Sequence, residues 1–338
     1  YVDGPKDDCQ YELFNGELDR IMPHIDRCIN RVPAFGEVGI KDIYNGAIAY
    51  TPDGNPIVGP APGLKNFWLN EGHSFGITAA GGAGWQLAEW IVDGEPTVDM
   101  MGVDPRRFGP YATRGYLKEK NEEAYANVFT THYPDEERSG ARPLKTAPCY
   151  DRMKALGAVF GTVYGWERPN WFMPSADYSL SAEELNQEDP TKVLMNKNHA
   201  TALEDGRIVE KNSFRRSNYF EHVGNECKHV NDKVGLLDMS AFAKCVVKGP
   251  GAEEWLEYIF ANKMPKAIGR ISLVHMLSLN GGVRAEFTVY KTGPQSYYLV
   301  SAGAFETHDH DYLFKLAPKD GSVNIQRVTT QTGVLVLA

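Results

Sequence analysis

Leu18, Ile21, Ile25, Cys28, Ile29 and Val32 recur at helical spacing. They predict a helix that Pro33 ends, with Pro23 either in its first turn or kinking it. Ile43 to Ala49 reads as a strand interrupted by Asn45-Gly46. The stretch from Thr51 to Gly76 predicts strand, turn and strand, with Pro52-Asp53-Gly54 as the turn signal and Phe67-Trp68-Leu69 as a short apolar strand. A helix follows: Gly76, Ala80, Gly84, Leu87, Ala88 and Ile91 share one face, Gly94 sits where it stops, and Pro96 lies just beyond.

After Phe108 the pattern changes. Gly109-Pro110 breaks the chain, residues 117–126 read as a charged, solvent-facing helix, and Tyr133 to Pro143 forms a loop with few apolar anchors. Apolar spacing resumes with a helix over Tyr150–Leu156, then Val159-Phe160 and the run Tyr164 to Phe172, whose Trp166 and Trp171 read as core. Residues from about Met173 to Asn212 are polar with little periodicity and read as an inserted surface loop. Alternation over Ala243–Gly249 gives a strand, and Pro250–Phe260 a helix burying Trp255, Leu256, Ile259 and Phe260. Ile271–Leu279 and Val283–Tyr290 flank Asn280-Gly281-Gly282, a strong hairpin signal. A period of two puts Arg284, Glu286 and Thr288 on one face of the second strand and Val283, Phe287 and Val289 on the other.

Length and composition then set the limits. A chain of 338 residues with 42% apolar content has room for two domains or more, each with a core. A net charge of -9 without a basic run argues against nucleic acid or an acidic membrane as partner, and no apolar run reaches spanning length. Five scattered cysteines read as reduced thiols, which suits a bacterial cytoplasm or a mitochondrial matrix.

Two places carry candidate chemistry. The helix N-terminus built from Gly72, Ser74, Gly76 and Thr78 presents backbone N–H groups and the positive end of a helix dipole. Its ligand could be a phosphate or the pyrimidine edge of a flavin, and a glycine-rich helix packed on a sheet accounts for the same residues. Glu286 is the second, although an anonymous sheet often carries a solvent-facing carboxylate. Cys227-Lys228-His229 and His308-Asp309-His310-Asp311 hold ligand-type residues without metal-site spacing, so no metal is expected. No Gly-x-Gly-x-x-Gly fingerprint occurs, so the pyrophosphate turn that a flavin domain would need is expected ahead of Tyr1 or is supplied otherwise.

The run from Tyr50 to Phe108, closed by Asp104-Pro-Arg-Arg-Phe108, resembles the carboxy-terminal end of the FAD domain in the amine-oxidising family of dimethylglycine dehydrogenase, sarcosine dehydrogenase and dimethylglycine oxidase. From Tyr150 the pattern is similar to the glycine-cleavage T-protein, a folate-binding aminomethyltransferase. The resemblance runs from about Leu18 to Ala338, leaving out the insert. It implies a mixed α/β and α+β multidomain chain: the end of an FAD oxidoreductase domain at 1–108, a connection at 109–148, and the first part of a T-protein-like fold at 149–338. On that basis His73, Ser74, Phe75, Gly76, Ile77 and Thr78 lie against the isoalloxazine ring of FAD. Glu286, with Phe287 and Thr288, meets tetrahydrofolate, and Glu286 stands where T-proteins usually carry aspartate. The implied activity is oxidative demethylation of a small N-methyl amino acid, with the one-carbon unit passed to tetrahydrofolate and electrons to an electron-transfer flavoprotein or oxygen. A non-catalytic regulatory protein of the same architecture and a flavin-free folate-dependent methyltransferase are the rival readings.

Overall fold

The computed structural model describes residues 9–10, 12–186 and 200–338. The chain forms two compact units, Tyr1–Tyr50 and Thr51–Ala338. In the first, α1 (Leu18–Arg31) carries Pro23 inside the helix, beyond its first turn. Ile21, Ile25 and Ile29 form its half-buried stripe. The strand expected over Ile43–Ala49 is not formed. Asn45-Gly46 cuts the run into pieces too short to pair, and only Asn45 bridges, its carbonyl accepting from the Phe14 N–H at 2.7 Å.

The second unit opens with the Pro52–Gly54 turn, where the Gly54 N–H donates to the Thr51 carbonyl at 3.1 Å. That turn precedes the hairpin instead of closing it. The antiparallel strands are β1 (Ile57–Pro60) and β2 (Trp68–Glu71), joined by residues 61–67. They deliver the chain to α2 (Gly76–Asp93), which ends as its spacing predicts: Gly94 takes a left-handed φ of 87° and its N–H donates to the Trp90 carbonyl at 3.0 Å. The charged helix is α3 (Arg114–Asn127), started by Thr113, whose hydroxyl accepts from the Tyr116 N–H.

Next come α4 (Tyr150–Ala155), β3 (Ala158–Val163), β4 (Trp166–Phe172), α5 (Ala182–Asn186), β5 (Ala200–Ala202), β6 (Ile208–Lys211) and α6 (Phe220–Asp232). Trp166 and Trp171 are buried, as expected. The surface loop expected over 173–212 needs correcting at both ends. Leu180 and Val209 are buried, and Val209 joins Val159 and Trp171 in a small core flanked by Tyr178, Tyr219 and Val223. A strand of four residues is too short for its periodicity to stand out in the sequence. Residues 187–199 of that stretch lie outside the described residues.

The remaining elements are β7 (Leu236–Asp238), β8 (Ala243–Lys248), α7 (Ala252–Ile259), β9 (Ile271–Leu277), β10 (Val283–Gly293), β11 (Ser296–Ser301), α8 (Glu306–Leu316), β12 (Asn324–Arg327) and β13 (Leu335–Leu337). Five of them make an antiparallel sheet in the order β12-β8-β11-β10-β9, while β7 pairs with β13. Cys245, Val247, Val274, Met276, Phe287, Val289, Tyr297 and Leu299 fill one face of the sheet. Trp255 and Leu256 of α7 and Leu313 of α8 close over them. Among the described residues no helix is long and apolar enough to cross a membrane.

Candidate functional site

The start of α2 is shaped by what precedes it. Gly72 has φ +69°, and a Cβ there would lie 2.7 Å from Thr51 Cγ2, so the bend after β2 admits only glycine. Phe75 occupies the cap position and no side chain caps the helix. The first amides of α2 therefore keep free donors at the positive end of its dipole. Two side-chain atoms beside them, His73 Nδ1 and Ser74 Oγ, are buried without a partner. His73 Nε2 lies 2.7 Å from Asn70 Oδ1. A hydrogen bond there takes the ring proton and leaves Nδ1 as an acceptor. Phe75 and Ile77 stand exposed, and Thr78 is exposed as well. The six residues expected at this place thus form one uncapped helix start with unmet hydrogen-bonding capacity.

Glu286 sits on the outward face of β10. Residues directly opposite on paired strands point to the same side of a sheet. From Val283 opposite Leu277, an unbroken ladder would set Glu286 against Val274, which is fully buried on the other face. A β-bulge between Val283 and Ala285 removes that conflict by moving the register one residue, so Glu286 lies opposite His275. Glu286 Oε2 is 3.2 Å from His275 Nε2. Thr288 shares its face. Phe287 does not: its side chain is in the core, its ring 5.1 Å from that of Phe260, so it cannot meet a ligand beside Glu286.

The bulge also corrects the placing of Arg284, expected beside Glu286. Its guanidinium turns toward α8, stacked 4.1 Å from the Tyr312 ring, 3.3 Å from His308 Nε2 and 3.1 Å from Glu95 Oε2. Burial pulls the Arg284 pKa below its ordinary value, against the opposing pull of Tyr312 and Glu95. Glu95 also accepts the Leu279 N–H. Glu95, Arg284 and His308 border a cavity of about 560 Å³ that Asp99, Met100 and Phe305 also line. A second tie joins the same regions: buried Arg106 bonds both Asp104 and Asp311. A smaller recess of about 190 Å³ has apolar walls from Val163, Met239, Phe242 and Ala302. The β10–β11 ladder ends with Thr288 opposite Val300, two residues before Ala302.

His275 and Glu95 were not singled out in the sequence. Each meets its partner on β10 through the register that the bulge sets, and a bulge leaves no mark in a period-two pattern.

The model of the FAD dependent oxidoreductase family matches residues 2–90, and that of the FAD dependent oxidoreductase central domain residues 93–147. The GCVT N-terminal domain model matches residues 149–338, more than half of the chain. The chain belongs to the GCVT N-terminal domain family. FAD oxidoreductase segments precede the aminomethyltransferase-type fold, in the order that the sequence led us to expect. The mitochondrial dimethylglycine dehydrogenase of Mus musculus is 36% identical over 97% of this chain and 34% of that protein. Mitochondrial sarcosine dehydrogenase of Homo sapiens is 28% identical over 90% of this chain and 34% of that protein. The mitochondrial pyruvate dehydrogenase phosphatase regulatory subunit of Mus musculus is 28% identical over 96% and 34%. The chain spans about a third of the length of these relatives.

Proposed function

We propose that the intact protein uses FAD to demethylate a small N-methyl amino acid, dimethylglycine or sarcosine, and passes the one-carbon unit to tetrahydrofolate as 5,10-methylenetetrahydrofolate. One observation carries this reading: a single unit holds both the uncapped start of α2, with its partnerless His73 Nδ1 and Ser74 Oγ, and a presented carboxylate at Glu286. Dimethylglycine and sarcosine dehydrogenases among the relatives support it.

The residues at α2 fit a flavin. The pyrimidine edge of the ring alternates acceptor, donor and acceptor, and the helix start offers backbone donors next to an imidazole acceptor. FAD, when bound, supplies the two-electron acceptor for the hydride leaving an N-methyl carbon. The free amides of Gly76, Ile77 and Thr78 would hold the ring edge where negative charge collects, and the dipole of α2 would steady it. Phe75 and Ile77 add apolar surface.

On the folate side, Glu286 offers an acceptor to the ring nitrogens and steadies the positive charge that develops as the one-carbon unit is captured. Thr288 lies on the same face, and the recess with apolar walls at Ala302 begins two residues beyond its partner Val300. In this reading residues 1–108 complete the flavin domain, 109–148 connect, and 149–338 bind folate. Electrons leave to an electron-transfer flavoprotein or to oxygen, in a mitochondrial matrix or a bacterial cytoplasm.

The test is Glu286→Ala in the intact protein. Substrate-driven flavin reduction should stay near the wild-type rate, while methylenetetrahydrofolate formation falls about 10²-fold and free formaldehyde appears. Failure of every N-methyl amino acid to reduce the wild-type flavin would overturn the oxidative half of the proposal. Equal slowing of both reactions by Glu286→Ala would overturn the folate role of this residue.

A further inference from the structure

We infer that His275 is a positioning residue for Glu286, backed by Asn262: the imidazole holds one carboxylate oxygen so that the other is aimed at the folate. This rests on the folate reading of Glu286. His275 Nε2 lies 3.2 Å from Glu286 Oε2, and His275 Nδ1 lies 3.3 Å from Asn262 Oδ1. The backbone N–H of His275 donates to the same Asn262 atom at 2.9 Å, which fixes it as the amide oxygen. The His275 carbonyl accepts from the Ala261 N–H at 2.9 Å. Residues 261 and 262 thus cover the edge of β9 at His275, next to the Phe260–Met276 bridge, and hold backbone and ring together.

Both nitrogens of the ring therefore face oxygen acceptors. With its hydrogen on Nε2 the imidazole donates to the carboxylate, and with it on Nδ1 it donates to Asn262 Oδ1. Stability does not account for this chain of contacts, because an ion pair with side chains 35% and 57% exposed contributes little. Its effect is geometric. A glutamate on an open sheet face has three rotatable bonds, and here one oxygen is tethered while Oε1 has no protein partner among the described residues. Holding a reacting or binding group by neighbours that are themselves fixed is what sets its aim. An ordinary surface glutamate has no need of such support.

The experiment compares His275→Ala, His275→Gln, Asn262→Ala and Glu286→Ala in the intact protein. It measures how the one-carbon unit divides between methylenetetrahydrofolate and free formaldehyde, with the rate of flavin reduction as internal reference. His275→Ala should lower methylenetetrahydrofolate formation about tenfold or more, chiefly in kcat and not in the KM for tetrahydrofolate, with flavin reduction unchanged. His275→Gln, whose amide N–H can reach the same oxygen, should recover most of the loss, and Asn262→Ala should show a smaller fall. Wild-type transfer in His275→Ala alongside a large loss in Glu286→Ala overturns the inference and leaves the folate reading standing. No loss in either variant overturns the folate reading itself. A Gln variant as poor as Ala, or flavin reduction falling in step with transfer, overturns the positioning role.

Discussion

Gly72 and Gly76 stand four residues apart at the start of α2, and the fold asks very different things of them. At Gly72 the backbone has φ +69°. Any residue with a Cβ loses about 1–2 kcal/mol in that left-handed region. The added carbon would also lie 2.7 Å from Thr51 Cγ2. Thr51 is buried, and its hydroxyl donates to the Asn55 carbonyl at 2.7 Å, so it cannot swing aside without losing that bond. Overpacking of this kind adds about 1–3 kcal/mol, giving about 2–5 kcal/mol for Gly72→Ala. At Gly76 the φ is not left-handed, and a Cβ would meet only His73 Cβ at 3.3 Å. The chain itself makes no strong demand for glycine there, so Gly76→Val should change stability by less than about 1 kcal/mol. A flavin ring against the helix start does make that demand. Gly76→Val should therefore leave the thermal melt nearly in place while flavin absorbance per polypeptide after desalting, or the anaerobic reduction rate, drops sharply. Gly72→Ala should lower the melt itself. Full flavin occupancy with normal reduction in Gly76→Val would refute the placing of FAD, and a wild-type melt for Gly72→Ala would refute the stereochemical argument.

Three further outcomes follow from buried groups. Arg106→Met leaves the nearly inaccessible Asp104 carboxylate without its partner and should cost about 3–5 kcal/mol in denaturant unfolding, with a loss under about 1 kcal/mol counting against it. Burial, helped by Arg327, pulls the His310 pKa down to about 4. The unfolded chain takes up this proton near pH 6.5 and the folded chain resists it, so the stability His310 confers is complete above about 6.5 and lost as pH falls toward about 4. His310→Leu should flatten the pH dependence of unfolding in that window, and an unchanged slope would refute the assignment. Trp171, fully buried and stacked on the rings of Tyr219 and His222, should cost about 3–5 kcal/mol when changed to Ala, read from the shift in denaturation midpoint.

Long periodic segments were legible in the sequence, because helix and strand periods act directly on which side chains can be buried. α2, with its Gly94 stop, and the β9–β10 hairpin around Asn280-Gly281 are the clearest cases. Short elements were not. β6 buries Val209 within four residues, and the interrupted run Ile43–Ala49 looked like a strand although only Asn45 pairs. At the candidate site, Glu286 could be found by position and resemblance. Phe287 could be assigned to the opposite face by period, yet the resemblance carried it into the folate site, where its buried ring has no place. The partner of Glu286 was out of reach, because a regular ladder counted from the turn leads to Val274 and not to His275.

The same extra residue bears on how this hairpin tolerates a change in length. Arg284 is the residue that the β9–β10 ladder passes over between Val283 and Ala285, so a chain lacking it would form an unbulged β9–β10 hairpin with Glu286 still opposite His275. What such a deletion would remove is the tie to Glu95 and His308, leaving the cross-strand pair in place. Loss of a single residue anywhere from Phe287 to Tyr290 would instead turn the later inward side chains of the strand out to water. Position 284 is therefore a place where descent can add or drop a residue and alter the join to the oxidoreductase segment, while the carboxylate and its imidazole keep their register.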